Sequence, residues 1–132
     1  MLLEETVMAR IIKTIEIEGE PAAALFDTGA FHTYVRKHYV ENSPQLPVAK
    51  PYNVALGGDT VHVQELRWFN GKIEGLDFSS TAVPVDSLGR AEGHDLDAII
   101  GAVTLEHWEI ILNPKDGTLD LTGLRNREFT DY

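Results

Sequence analysis

The stretch Ala22-Ala23-Ala24-Leu25-Phe26-Asp27-Thr28-Gly29-Ala30 decides the fold of this 132-residue chain. Five apolar residues precede Asp27, so its carboxylate is predicted to stand at the end of a buried strand. Gly29 lets the backbone turn closely after that strand and point an N–H group back at the carboxylate. Residues 31–35 alternate again like a strand, which predicts a strand, a tight loop and a second strand around one acid.

A second segment, far downstream, reads Asp97-Ala98-Ile99-Ile100-Gly101. The two motifs, Leu-Phe-Asp-Thr-Gly-Ala and Ile-Ile-Gly, together resemble the retropepsin-like aspartic proteases, the one-domain relatives of pepsin. In that family a hydrophobic-hydrophobic-Gly segment crosses behind the Asp-Thr-Gly loop, and a short helix follows. The resemblance spans roughly residues 10–122. It implies an all-β fold: a closed, mostly antiparallel β-barrel with one short helix after Gly101. Residues 1–132 then form one domain that ends in a polar tail, 123–132.

The resemblance also implies a set of site residues. Asp27 is the catalytic aspartate, and Thr28, Gly29 and Ala30 support it, while Ile99, Ile100 and Gly101 back the cleft. In such enzymes two carboxylates share one proton: one acts as base on a water, and the other donates to the carbonyl oxygen of the peptide bond. No cofactor and no metal take part.

Only one Asp-Thr-Gly occurs in the chain, although the chemistry needs two aspartates. The stretch Asp120-Leu121-Thr122-Gly123 has an extra residue and is not predicted to form a second catalytic loop. Single-domain members of the family pair about a two-fold axis, and each subunit gives one aspartate. A symmetric dimer places identical residues against each other at its axis. A homodimer acting on a peptide or protein substrate is therefore implied.

A glycine-rich hairpin is predicted between the two motifs. Gly57-Gly58-Asp59 joins two strand-like runs, and glycines at such a tip permit the positive φ of a tight hairpin. The resemblance implies that this hairpin is the flap that closes over bound peptide, with Leu56, Gly57, Gly58 and Asp59 at its tip. An ordinary surface hairpin is the alternative.

The sequence departs from the retroviral pattern at three positions. Retroviral members usually carry two acidic residues after the alanine, and an arginine after the downstream glycine. Phe31, His32 and Ala102 stand at those positions here, so the salt-bridge arrangement of those members is missing. The form Asp-Thr-Gly-Ala-x-x-Thr-x-Val is instead similar to cellular and prokaryotic members. His32 lies beside the predicted cleft and is a candidate for contact with substrate.

Short strands are predicted along most of the chain, as in an all-β barrel or sandwich. They cover residues 7–18, 22–26, 52–56, 60–68, 79–85 and 118–121. Asn70-Gly71 is predicted as a further hairpin turn. The prolines of residues 42–47, with Pro51 close behind, predict a loop. Residues 102–108 form the one convincing predicted helix.

Composition excludes several classes of function. The net charge of −10 argues against a nucleic-acid partner, which needs clustered basic residues. No apolar run is long enough for a membrane span. The opening Met1-Leu2-Leu3 leads directly into Glu4-Glu5, unlike a signal peptide, so a cytoplasmic location is the default expectation. The chain has no cysteine, and its five histidines show no recognised ligand spacing.

Three hypotheses follow from these observations. The first is an aspartic endopeptidase that uses Asp27 of two subunits. The second is a non-catalytic peptide-binding or regulatory dimer that keeps the fold but has lost productive geometry. The third is a structural β-domain with a chance Asp-Thr-Gly.

Overall fold

The computed structural model of the chain describes residues 10–129 and 131, so residues 7–9 of the predicted first strand and most of the chain's last three residues lie outside the described part. Within that part the chain forms strands connected by short turns, together with short helices. In chain order the elements are β1 (Arg10–Ile17), β2 (Glu20–Asp27), β3 (Tyr34–Arg36), α1 (Lys37–Val40), β4 (Gln45–Leu56), β5 (Asp59–Ile73), β6 (Leu76–Val85), β7 (Arg90–Ala91), β8 (His94–Asp95), β9 (Ala98–Ile100), α2 (Ala102–His107), β10 (Ile111–Asn113), β11 (Thr118–Asp120) and α3 (Thr122–Asn126).

One seven-stranded sheet organises the molecule, in the order β1-β2-β9-β3-β6-β5-β4. Strand β1 also pairs with β5, through Glu16 opposite Lys72 and Ile17 opposite Gly71. Most pairings are antiparallel, but β2–β9 and β3–β6 are parallel. The prediction of a mostly antiparallel β fold is therefore confirmed, with parallel pairs that the sequence did not indicate. Among the described residues no helix is long and apolar enough to cross a membrane.

The prediction of a single helix is wrong, because the described residues contain three. Helix α2 is the predicted one, and its range of Ala102–His107 agrees with the expected 102–108. Helix α1 is a single turn after β3. Helix α3 holds Leu124, which is only 1% exposed and packs in the main core. The core therefore extends into residues 123–132, which the sequence had suggested to be a polar tail.

Strand β2 is buried on both faces. Ala24 and Phe26 belong to the main core cluster, while Leu25 belongs to a second cluster with Tyr34 and Ile99. This arrangement explains the unbroken apolar run before Asp27, because a strand covered on both faces has no outward positions to fill with polar residues.

Asn70-Gly71 does not form the predicted hairpin. Both residues lie inside β5, which continues to Ile73. A Cβ at Gly71 would lie 2.5 Å from the Phe78 ring and 2.9 Å from the carbonyl oxygen of Glu16. The absence of a side chain at Gly71 therefore allows the neighbouring strands to approach closely, which is a known use of glycine within a sheet.

The predicted loop over residues 42–47 is shorter than expected, because only residues 42–44 lie outside helices and strands. Strand β4 begins at Gln45 and includes both Pro47 and Pro51. It lies at the end of the sheet order and pairs with β5, with an irregular register between Pro47 and Tyr52. Proline is tolerated there because an edge strand has one side without ladder hydrogen bonds, and a bulge removes others.

Candidate active site

Asp27 is the last residue of β2, and that strand is held along both edges. On one side β2 pairs antiparallel with β1, and on the other it runs parallel to β9, with Leu25 opposite Ile99 and Phe26 opposite Ile100. The Asp27 side chain is 14% exposed. The carboxylate therefore stands at the end of a rigid buried strand, where the sequence placed it.

The two carboxylate oxygens of Asp27 have different partners. The Gly29 N–H donates a hydrogen bond to Oδ1 over 2.8 Å, and the Ala30 N–H donates to the Asp27 carbonyl oxygen over 3.2 Å. Arg10 Nε lies 3.7 Å from Oδ2. The loop thus orients the carboxylate, as predicted for the glycine, and the arginine of the neighbouring strand approaches its other oxygen.

Gly101 lies directly behind this loop. A Cβ on Gly101 would lie 2.1 Å from the His32 carbonyl oxygen and 2.7 Å from that of Ala30. The first N–H groups of α2 complete the contact, since Ala102 donates to the Ala30 carbonyl over 2.6 Å and Val103 to that of Phe31 over 3.1 Å. Helix α2 and the Asp27 loop therefore form one unit, which only glycine at position 101 permits.

Three buried hydroxyl groups tie this unit to the sheet. Thr104 Oγ1 lies 2.6 Å from Thr33 Oγ1 and 2.7 Å from Ser80 Oγ. Thr33 Oγ1 also accepts the Gly101 N–H over 3.1 Å. The sequence did not reveal this chain of hydrogen bonds. The local signals were the two threonines, Thr33 and Thr104. The hydrogen bond between them joins residues far apart in sequence, so neither signal alone predicts it.

Replacing Thr104 by Val should lower the free energy of unfolding by about 1–3 kcal/mol, because two buried hydroxyls lose a partner. The change conserves the shape of the side chain, so the loss reports the hydrogen bonds. Urea denaturation of both proteins measures it. Thr14, an exposed residue of β1, provides the matched control, and Thr14→Val should stay within about 0.5 kcal/mol of the wild type. Equal effects of the two substitutions would contradict a structural role for the hydroxyl chain.

Asp97 anchors the strand that precedes Gly101. Its Oδ2 accepts the Ala23 N–H over 2.8 Å, and its Oδ1 accepts a hydrogen bond from Arg36 Nη1 over 3.2 Å. One carboxylate thereby joins β2, β3 and β9, the three strands around the Asp27 loop. Sequence reasoning did not predict this role of Asp97, although an acidic residue beside a buried strand usually has hydrogen-bond partners within the protein.

An open cleft of about 360 Å³ lies over Asp27. Gly29 and Ala30 line it from the Asp27 loop, and Leu56 and Gly57 line it from the β4–β5 hairpin. Five of the eleven predicted site residues therefore line this cleft, namely Asp27, Gly29, Ala30, Leu56 and Gly57. Thr28, Gly58 and Asp59 do not line the cleft, and Ile99, Ile100 and Gly101 lie behind the loop, where Ile100 is fully buried.

The tip of the β4–β5 hairpin is a two-residue turn. Leu56 pairs with Asp59, and the glycines between them have φ angles of 57° and 88°. This conformation confirms the prediction that the two glycines supply positive φ, which other residues adopt at a cost.

His32 is the centre of an aromatic cluster at one end of the cleft. Its Nε2 lies 2.9 Å from the Tyr52 hydroxyl oxygen, and its ring contacts those of Phe31, Tyr34 and Tyr52. Burial lowers the pKa of His32 below its usual value. Burial, followed by the charge of Tyr52, raises the pKa of Tyr34. The directions of these two pKa shifts favour the uncharged forms of His32 and Tyr34.

Two other aspartates, Asp95 and Asp120, have partners away from the cleft. Asp95 forms an ion pair with Arg90 over 2.9 Å. Asp120 Oδ1 accepts hydrogen bonds from the N–H and hydroxyl groups of Thr122, which lower the pKa of Asp120. Asp120 lines a different surface depression from Asp27. Within residues 10–129 and 131, no group of three or more His, Asp or Glu residues could hold a metal ion.

Comparison with solved structures identifies the fold. The chain resembles the retroviral protease-like domain of Ddi1 from Leishmania major with a TM-score of 0.52 and 18% identity, over 88% of this chain and 89% of that chain. It resembles EIAV protease, solved in complex with the inhibitor HBY-793, with a TM-score of 0.50 and 18% identity, over 79% of this chain and 92% of that chain. No protein-family model and no curated protein match the sequence. The chain therefore has a retropepsin-like aspartic protease fold.

Proposed function

We propose that this retropepsin-like chain is an aspartic endopeptidase whose catalytic pair consists of Asp27 from two identical subunits. The observation that carries the proposal is the position of Asp27. Its carboxylate ends a buried strand, is oriented by the Gly29 N–H and faces an open cleft. The two solved structures compared above are named as a protease and a protease-like domain. The pairing of β1 with both β2 and β5 supports the closed barrel that this class of enzyme implies.

The requirement for a second subunit follows from the chemistry of the cleft. Asp27 is the one acidic residue that lines the cleft in the described part of the chain. Peptide hydrolysis by this mechanism needs one carboxylate to accept a proton from water while a protonated partner donates to the carbonyl oxygen. Thr28 and Gly29, next to Asp27, are exposed in the single chain. A two-fold axis through this exposed loop would bring two copies of Asp27 together.

The activity itself is tested by incubating the purified protein with a pool of synthetic peptides. We expect internal cleavage that a statine-type transition-state inhibitor suppresses and that a metal chelator leaves unchanged. Sedimentation at micromolar concentration should show a dimer, and the inhibitor should strengthen dimerisation because it contacts both subunits. Absence of cleavage, or cleavage that resists the inhibitor, would contradict the proposal.

The β4–β5 hairpin is proposed to close over the bound peptide as a flap. Replacing Gly58 by Val should cost about 1–3 kcal/mol of stability, because a β-branched residue is strained at positive φ. It should lower kcat/KM by about tenfold to 100-fold at a temperature where the protein is fully folded, because closure positions the peptide. Steady-state kinetics with thermal denaturation measures both effects.

Gly19 offers a matched control for this substitution. It lies in the turn between β1 and β2 with a φ of 81°, and, as at Gly58, a Cβ added there would have no atom within 4 Å. Gly19→Val should therefore cost similar stability but leave kcat/KM nearly unchanged. A similar loss of kcat/KM in both variants would show that the hairpin has no special part in turnover.

A further inference from the structure

A second pocket, of about 190 Å³, adjoins the Asp27 cleft. Phe31 and His32 line both the pocket and the cleft, so the two spaces are neighbours at these residues. Tyr52 and Leu66 line the pocket from the strands of the β4–β5 hairpin, and Val83 lines it from β6. The pocket is therefore built from the same hairpin and the same loop as the cleft.

The lining of this pocket contains no charged side chain. Three of its polar side chains are already engaged within the protein. His32 Nε2 lies 2.9 Å from the Tyr52 hydroxyl oxygen, and Thr33 Oγ1 is hydrogen-bonded within the buried hydroxyl chain. An ionised group entering the pocket would lose its hydration without gaining a charged partner, which is costly. An apolar group would lose nothing and would bury its surface.

We propose that this pocket binds an apolar side chain of the substrate, at a position away from the cleaved bond, and that the His32–Tyr52 pair forms its mouth. The inference rests on the proposed function, because it takes the cleft over Asp27 as the peptide site. The volume of the pocket exceeds the roughly 150 Å³ of an apolar cavity that admits a benzene ring. Both aromatic and branched aliphatic side chains therefore fit.

Leu66 is the residue through which the inference is tested. It is half-buried in the pocket wall and lies opposite Leu46 on the neighbouring strand. Leu46 does not line the pocket and is 42% exposed. Leu66→Lys and Leu46→Lys therefore add the same charge to one cross-strand pair, but only the first places it in the pocket. Leu66→Ala enlarges the pocket without a charge, and it serves if Leu66→Lys fails to fold.

The experiment uses peptide pools in which one position at a time carries Phe, Leu, Asp or Lys. Binding is measured by fluorescence anisotropy with the Asp27→Asn protein, and cleavage is measured with Asp27 intact. At one position away from the cleaved bond, Phe and Leu peptides should bind about tenfold or more tightly than Asp and Lys peptides. Leu66→Lys should gain binding of the Asp peptides at that position, while Leu46→Lys keeps the apolar preference. Leu66→Ala should shift the preference from Leu towards Phe.

The outcomes separate this inference from the proposed function. In one outcome the Leu66 variants change the binding preference for apolar peptides while the protein with Asp27 intact cleaves none of them. That result supports the proposed pocket and contradicts the proposed endopeptidase activity. If the protein cleaves peptides but the Leu66 variants do not change its preference for apolar peptides, only the proposed role of the pocket is contradicted. Absence of peptide binding, or an equal shift in Leu66→Lys and Leu46→Lys at physiological salt, also overturns the pocket.

Discussion

Peptide cleavage should fall by about 10³-fold or more when Asp27 is replaced by Asn, because an amide can neither act as base on the water nor share a proton with its partner. The change is nearly isosteric, and the amide oxygen can still accept the hydrogen bond from the Gly29 N–H. We therefore expect the fold to persist. Single-turnover kinetics measures the loss, and circular dichroism with sedimentation verifies the fold and the assembly.

Asp86→Asn is the matched control for this result. Asp86 forms an ion pair with Lys37, and its side chain is 88% exposed, so the substitution also removes one negative charge and one ion pair. Its activity should equal that of the wild type. Cleavage near the wild-type rate in Asp27→Asn would contradict the mechanism. Peptide binding without cleavage in the unmodified protein would favour the non-catalytic peptide-binding dimer.

The second large effect is expected at Gly101. Replacing it by Ala would place a Cβ 2.1 Å from the His32 carbonyl oxygen, so α2 and the Asp27 loop must separate. We expect a loss of about 3 kcal/mol or more in the free energy of unfolding, since overpacking against backbone cannot be relieved by a rotamer change. Cleavage should also fall at temperatures where the variant is folded, because the loop carries Asp27. Denaturation and kinetics measured together test both effects.

Gly93→Ala separates this steric effect from the general cost of replacing glycine. Gly93 has a φ of 79° and no atom within 4 Å of an added Cβ, so Ala there costs about 1–2 kcal/mol through backbone strain alone. Gly101, by contrast, has an ordinary φ of −97°. Equal losses of unfolding free energy in the two variants would show that the short distance between Gly101 and the Asp27 loop does not explain the need for glycine at position 101.

The sequence predicts those parts of the fold whose signals are local. The apolar run before Asp27 predicts a buried strand, Gly57-Gly58 predicts a hairpin tip with positive φ, and residues 102–108 predict α2. Each signal lies within a few residues and acts through backbone conformation or burial. The same local rules predict the Asp27 loop correctly, because the contact between Gly29 and the carboxylate spans two residues.

The features that the sequence did not reveal depend on contacts between distant residues. Asn70-Gly71 has the local signature of a turn, but both residues pair with β6 and Gly71 also pairs with β1, so β5 continues through them. The prolines of β4 are compatible with a strand only because that strand lies at the sheet edge. The Thr33–Thr104 hydrogen bond joins residues 71 positions apart. Only the tertiary structure brings such partners together.

The central claim, that two chains each contribute Asp27 to one catalytic pair, is tested most directly by mixing subunits. Wild-type and Asp27→Asn chains are refolded together in varying proportions at constant total concentration, and the rate of peptide cleavage is measured. With equal amounts of the two chains, random pairing leaves about one quarter of the dimers with two aspartates, so we predict about one quarter of the wild-type rate. A rate of about one half would mean that each Asp27 works within its own chain, and would contradict the account.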